Sequence, residues 1–395
     1  MHRARRIGIL TGGGDVPGLN PVIKSVVYKA TETGCEVLGI RRGWQGLTHM
    51  QTGAELDAEY VRVLDRANTR DIDRHGGTML HTSRVNPRKM KKSKLPPYLS
   101  DEQLRKFQSG EETWDLTPLV LENIARLAID DLIVIGGDDT LSFAHVLNQK
   151  GIRVIGIPKT MDNDVRGTEY CIGFSTAITR AKELITRQRT TLGSHERIGV
   201  FRIFGRDAGF TALYTAYVTS VRCVIPEVEF DLERLTQLLF EDRKNNPSGY
   251  SLVIASEGAI WKGRQVAEFG EADAYGHRKK VDIGEALGEE IRKRTGVETM
   301  SSDLTYDLRS GAPDALDQMV ATTFANVAMD LLREGIHGRL VAIQEGKYAH
   351  APIPDPKLGA IRVDVPKLYN TERFRPHYSG KLGMPLLLTP VRTSD

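Results

Sequence analysis

Three loops in this chain carry residue types that handle phosphate. Gly12-Gly13-Gly14-Asp15 follows the apolar run Ile7-Gly8-Ile9-Leu10 and leads through Pro17-Gly18-Leu19-Asn20 into an apolar segment of helical period. Backbone N–H groups at such a strand-to-helix turn are suited to cradle a phosphate, since they point outward near a helix N-terminus. A purely structural tight turn is the alternative for this loop taken alone. Gly136-Gly137-Asp138-Asp139-Thr140 adds two adjacent carboxylates after Leu132-Ile133-Val134-Ile135. One carboxylate in a glycine-opened loop suits Mg²⁺, which keeps several waters and takes few protein ligands beside substrate phosphates. A second Asp next to it repels an anion that comes close. Asp162-Asn163-Asp164 directly follows Pro158-Lys159-Thr160. A carboxylate there is suited to accept a hydroxyl proton, and the lysine to take up charge on a departing phosphate. A helix cap with a turn is the plainer account of that run by itself. Three such loops together favour phosphoryl chemistry.

These loops need strands to hold them. Each of the three follows a short β-rich apolar run, the third after Val154-Ile155-Gly156-Ile157, and two further runs behave alike. Gly199 to Phe204 precedes Gly205-Arg206-Asp207, and Leu252 to Ala255 precedes Ser256-Glu257-Gly258. Such runs read as buried parallel strands that end in functional loops. Helical periodicity over Leu119–Ile129, Thr176–Arg187, Leu232–Asp242 and Leu316–Arg333 lies between or after them, which predicts a doubly wound α/β architecture. Ligands in such sheets bind beyond the carboxyl ends of strands, where all five loops fall. Two segments break the alternation. Arg84 to Pro118, with Arg88, Lys89, Lys91, Lys92 and Lys94, reads as a basic surface excursion, and the proline-rich Ala349 to Pro366 as a surface wrap. The GxxxxGK[ST] loop, a third glycine after Gly12-x-Gly14 and the HRD and HExxH motifs are absent, so common nucleotide and zinc machinery is not expected.

At 395 residues the chain exceeds what one hydrophobic core usually organises, so two domains are expected. Lys and Arg (54) nearly balance Asp and Glu (51), a net +3 that calls for neither nucleic acid nor an anionic membrane. The lysines of the excursion lack interleaved aromatic residues, which also argues against RNA. Cys35, Cys171 and Cys223 are odd in number and far apart, which fits a reducing, cytoplasmic compartment rather than a disulfide framework or a zinc site. The apolar stretch after Arg3, Arg5 and Arg6 is too short for an export signal, and no run is long enough to span a bilayer.

Read in order, Thr11 to Asn20, the GGDDT loop, Pro158 to Asp164, Phe204-Gly205-Arg206 and Ser256-Glu257-Gly258 resemble the motifs of 6-phosphofructokinases, from about Ile7 to Gln344. The resemblance implies two Rossmann-like, three-layer α/β domains with mostly parallel sheets and an active site in the cleft between them. Residues 1–172 with about 308–358 would bind the phosphoryl donor, and 173–307 with about 359–395 fructose 6-phosphate. It implies Asp162 as the base for the sugar 1-hydroxyl, Asp138 as the Mg²⁺ ligand and Gly14 as a backbone donor to the phosphoryl donor. Thr160 and Asp164 would line the reacting centre, and Arg84 would contact the transferring phosphates. Phe204, Gly205, Arg206 and Glu257 would hold the sugar. Arg309 and Arg197 would hold the 6-phosphate, the latter supplied by a neighbouring subunit, so a homo-oligomer, dimer or tetramer, is implied.

Members that use ATP typically read GGDG and PGTIDND, whereas those using pyrophosphate carry an Asp and a Lys, here Asp139 and Lys159. A carboxylate where the ATP α-phosphate would lie repels it, and Phe143 is expected to crowd adenine. The resemblance therefore implies pyrophosphate as donor, with an ATP-dependent enzyme and a non-catalytic sugar-phosphate sensor as alternatives. Some positions depart from the pattern. Thr305 to Gly311, containing Tyr306 in the substrate-binding set, stands where ATP-using relatives read roughly GHIQRGG, and the second cross-subunit arginine falls at about Met300. Lys24 and Tyr28 stand where bacterial ATP enzymes place arginines of an allosteric nucleotide site, so control by ADP or phosphoenolpyruvate is not expected.

Overall fold

A computed structural model describes residues 3–51, 56–264, 268–269, 279–280 and 282–377. The strands that build its two main sheets are β1 (Arg6–Thr11), β2 (Glu36–Ile40), β3 (Val61–Leu64), β4 (Asp131–Gly136), β5 (Val154–Pro158), β6 (Ile198–Ile203), β7 (Arg222–Val224), β8 (Ser251–Ser256), β9 (Thr299–Asp303), β10 (Arg339–Gln344) and β11 (Lys347–Pro352). The larger sheet runs β11–β10–β5–β4–β1–β2–β3 and is parallel except at its edges, where β11 and β3 pair antiparallel. The smaller sheet runs β9–β6–β8–β7 and is wholly parallel. This is the α/β architecture expected, and all five loop-bearing runs are parallel strands.

Burial on both faces explains why these strands are continuously apolar. In β4, Ile133 and Ile135 join one core cluster while Leu132 and Val134 join another, as a two-residue period requires. The first cluster continues from the larger sheet, through the helices Leu19–Glu32, Phe174–Ser194 and Ala315–Arg333, to Val200 and Val253 of the smaller one. The second lies against Thr117–Arg126 and Asp138–Gln149. Strand order reverses at β1, which has β2 on one side and β4 on the other. The crevice at such a switch point is where open α/β sheets take ligands, and the first two glycine loops open there.

The basic excursion is folded rather than merely solvated. Val85, Met90, Leu99, Phe107, Trp114, Leu116 and Leu119 close a small core of their own, beneath exposed Arg88, Lys89, Lys92 and Lys94. Its helix Asp101–Phe107 starts in a capping box of Ser100 with Gln103. Of the proline-rich segment, Ala349–Pro352 belongs to the edge strand β11, and only the residues beyond Pro352 wrap the surface. Among the described residues no helix is long and apolar enough to cross a membrane.

Candidate active site

The glycine loops are packed against each other through one threonine. A Cβ on Gly12 would meet the Thr140 side chain at 2.6 Å and one on Gly136 at 2.3 Å, so both positions need glycine. Gly12 donates its N–H to the Ile135 carbonyl (3.0 Å), and Gly13 donates to the Ser83 carbonyl (3.1 Å) while its own carbonyl accepts from Thr82 Oγ1 (2.6 Å). The segment that ends in Arg84 thus clamps the first loop.

Lys159 is buried at the end of β5 and donates through Nζ to the Gly14 carbonyl at 2.6 Å. Burial lowers its pKa to about 7, and the charges of Arg309 and Arg84 add to that while Asp15 opposes it. Arg309 lies over the Phe204 ring at 4.4 Å and donates to the Asp15 carbonyl at 3.0 Å. Three cations therefore gather around the first glycine loop with Asp15 as the near acid, which is an anion site in charge and shape.

Carboxylates occupy the facing side. Asn163 adopts a left-handed φ of 54° and is pinned by its side chain, which accepts the Cys171 N–H (2.7 Å) and donates to the Glu169 carbonyl (3.0 Å). Asparagine tolerates this conformation better than most residues, and the turn sets Asp162 and Asp164 on either side of it. Thr160 Oγ1 accepts the Asp162 N–H at 3.2 Å. Burial pushes the Asp162 carboxyl well up, with Asp164 and Glu257 adding to the shift and Arg309 and Arg206 offsetting it. Burial also raises Asp164 to about 7, with Asp138 contributing, and Asp138 to about 6, with Asp139 contributing. Asp138 and Asp139 begin the helix Asp138–Gln149, and the Asp139 carbonyl accepts from Ser142 Oγ at 2.7 Å.

The smaller sheet supplies the third wall. Glu257 donates its N–H to the Ile203 carbonyl and Gly258 to that of Gly205, both at 3.0 Å. A Cβ on Gly205 (φ 118°) would lie 2.1 Å from Ser256 Oγ, the hydroxyl that donates to the Gly205 carbonyl at 2.7 Å. Phe204, Gly205, Arg206 and Glu257 are thereby zipped together, and Arg206 is paired with Asp207 at 3.0 Å.

Of the residues singled out in the sequence, the structure brings together Gly14, Arg84, Asp138, Lys159, Asp162, Asp164, Phe204, Arg206, Glu257 and Arg309 as a contacting or electrostatically coupled group. Tyr306 is 82% exposed, on the short helix Thr305–Arg309 that also carries Arg309. Arg197 does not join them within one chain. It precedes β6, at the opposite end of the strand from Phe204, and pairs with Glu298 at 2.7 Å. Phe143, expected beside a nucleotide base, is instead buried under the loop and packs edge-on against Trp44 at 4.9 Å. Asn163 and Asp15 were not singled out for a role, since neither residue type announces a pinned turn or a carbonyl contact with a distant arginine.

Among the described residues no three His, Cys, Asp or Glu side chains converge as a metal cage. Asp138 instead feels the charge of Asp139 and acts on Asp164, and such repulsion suits a divalent cation that takes its remaining ligands from substrate and water. A separate concavity of about 350 Å³ involves Lys24, Tyr28, Asp73 and Gln318. There Lys24 is paired with Asp73 at 2.8 Å, and Arg66 covers Tyr28 at 4.8 Å.

A pyrophosphate–fructose 6-phosphate 1-phosphotransferase of Amycolatopsis methanolica is 36% identical over 342 residues, 86% of this chain and 90% of the relative. An ATP-dependent 6-phosphofructokinase 3 of Streptomyces coelicolor is 35% identical over 342 residues, 86% and 91% of the two chains. The fold matches the crystal structure of a pyrophosphate-dependent phosphofructokinase from Nitrosospira multiformis, with a TM-score of 0.73 at 16% identity, over 98% of this chain and 96% of that one. It also matches a phosphofructokinase from Saccharomyces cerevisiae, with a TM-score of 0.70 at 22% identity, over 90% of this chain and 45% of that one, so the chain spans about half the yeast protein's length. The sequence profile described as Phosphofructokinase matches residues 6–332. Because that profile spans most of the chain and the relatives align over 86% of it, the chain belongs to the phosphofructokinase family.

Proposed function

We propose that the protein transfers a phosphoryl group from pyrophosphate to the 1-hydroxyl of fructose 6-phosphate, giving fructose 1,6-bisphosphate and phosphate in a reversible, Mg²⁺-dependent reaction. The observation that carries this reading is the buried Lys159 ammonium on the Gly14 carbonyl, with the charge of Arg84 acting on it. Asp139 beside Asp138 adds a charge that disfavours an α-phosphate. Residues 1–172 with about 308–358 would then serve the donor, and 173–307 with about 359–395 the sugar, residues 378–395 lying outside the described ones.

Asp138 would hold Mg²⁺, which when bound offsets charge on the donor's phosphate oxygens. Asp162 accepts the proton of the 1-hydroxyl as that oxygen bonds to phosphorus. The bridging P–O bond breaks, its electron pair leaves with the departing phosphate, and Lys159 and Arg84 take up that charge. Thr160 and Asp164 flank the reacting centre, and Gly14 offers backbone to the donor. Phe204, Gly205, Arg206 and Glu257 orient the sugar ring. Arg309 receives the 6-phosphate, joined by Arg197 from a neighbouring copy in a homo-oligomer, and Tyr306 contacts the substrate. Free Cys35, Cys171 and Cys223 fit a reducing cytoplasm.

Relatives named for ATP at similar identity favour a second reading, ATP as donor. The deciding experiment measures fructose 1,6-bisphosphate formed by purified protein with Mg²⁺ and either pyrophosphate or ATP. Turnover with pyrophosphate and little with ATP is expected. Preference for ATP overturns the donor assignment, and binding of fructose 6-phosphate without turnover on either donor points to a sensor.

A further inference from the structure

Arg202, the residue before the last of β6, meets three carboxylates. Its guanidinium lies 2.7 Å from Asp303, 3.6 Å from Asp282 and 3.7 Å from Glu257. Each sits at a junction. Glu257 is the sugar ligand of the proposed reaction. Asp303 Oδ1 accepts both the N–H (3.0 Å) and the Oγ1–H (2.8 Å) of Thr305, the first residue of the helix that carries Tyr306 and Arg309. Asp282 caps the helix Ile283–Thr295 by accepting the Gly284 N–H at 2.6 Å. The Arg202 carbonyl also accepts the Leu304 N–H at 3.0 Å, so main chain and side chain both hold the approach to that helix.

The arrangement is not one that stability alone favours. Arg202 Nε is buried and, among the described residues, lacks a hydrogen-bond partner, a feature with a desolvation cost. Without the guanidinium, Glu257 and Asp303 would repel each other and any phosphate brought between them. We propose that Arg202 is a positioning residue for the sugar side of the cleft, setting the Glu257 carboxylate and the Arg309 helix in one register, with its three ion-pair contacts all on that side. The inference rests on the proposed function.

The test is steady-state kinetics of Arg202→Gln, Arg202→Lys and Asp303→Asn, with each substrate varied in turn and folding checked by thermal melting. Asp303→Asn keeps an oxygen for the Thr305 cap and removes the ion pair, so it probes the contact even if Arg202→Gln folds poorly. Loss of this charge-assisted contact should raise the KM for fructose 6-phosphate about tenfold in Arg202→Gln and Asp303→Asn. The pyrophosphate KM should stay within about twofold, with kcat reduced less than about threefold and Arg202→Lys recovering part of the loss. Equal changes in both KM values, or an unchanged sugar KM, overturn the inference. Wild-type protein that neither binds nor turns over fructose 6-phosphate overturns the proposed function and this inference with it, whereas normal wild-type turnover with unselective variants overturns this inference alone.

Discussion

Asp162 is held in a setting that works against its own ionisation. Burial, Asp164 and Glu257 all raise its affinity for a proton, while Arg309 and Arg206 pull the other way. That balance suits a group that must take a proton from an alcohol and later return it, since a strongly acidic carboxyl would be too weak a base. Asp162→Asn keeps the size and much of the hydrogen bonding but cannot accept the proton. Turnover should fall by roughly 10²–10⁴ while the KM for fructose 6-phosphate changes little. Initial rates over a range of sugar concentrations check this, and near-normal turnover would move the base elsewhere. The neighbouring Asn163 acts on the same chemistry indirectly, by pinning the turn that carries Asp162 and Asp164.

That turn shows what could and could not be read in the amino-acid order. Strands β1, β4, β5, β6 and β8 were legible because burial on both faces demands apolar runs, and each run visibly empties into glycine and charge. The segments Asp162-Asn163-Asp164 and Phe204-Gly205-Arg206 could be placed on loops for the same reason. The left-handed φ of Asn163 could not, because its partners Glu169 and Cys171 are set by how the chain returns. The Arg202 cluster was hidden likewise, since its carboxylates come from three separate elements. Arg197 could be assigned only by motif register, and one chain keeps it away from the cleft. Asn163→Ala removes two buried hydrogen bonds and forces alanine into a left-handed turn, a destabilisation of about 2–4 kcal/mol. Denaturant unfolding would measure that loss, and kcat should drop more than either KM rises because both flanking carboxylates shift together. Unchanged stability would mean that the side-chain clamp contributes nothing.

At the scale of the whole molecule the site must be completed and its charges tolerated. If Arg197 acts across a subunit boundary, hybrids of Asp162→Asn and Arg197→Ala chains rebuild one intact site, so co-expression should recover up to about a quarter of wild-type activity in a dimer. A site formed within one chain recovers none. The charges themselves oppose folding in a way that depends on pH. Asp138, at about 6, and Asp164, at about 7, sit above the ordinary carboxylate value of 3.8. The folded chain therefore holds protons that the unfolded chain has lost, and stability from these groups is full below about pH 4 and disappears as pH rises toward 7. Lys159 has the opposite sign, since its folded value of about 7 lies below 10.5. Between those values the unfolded chain binds the extra proton, so this contribution grows with alkalinity above about pH 7. The cleft is thus most costly near neutrality, where its carboxylates are ionised and its lysine is still partly charged. Melting temperatures from pH 5 to 9 should show Asp164→Asn gaining a few degrees over wild type at pH 8 and little at pH 5. Lys159→Met should gain most at and below neutrality, with that advantage shrinking as pH rises from 7 to 9. Parallel melting curves for wild type and both variants would show that the cleft carries no such charge strain.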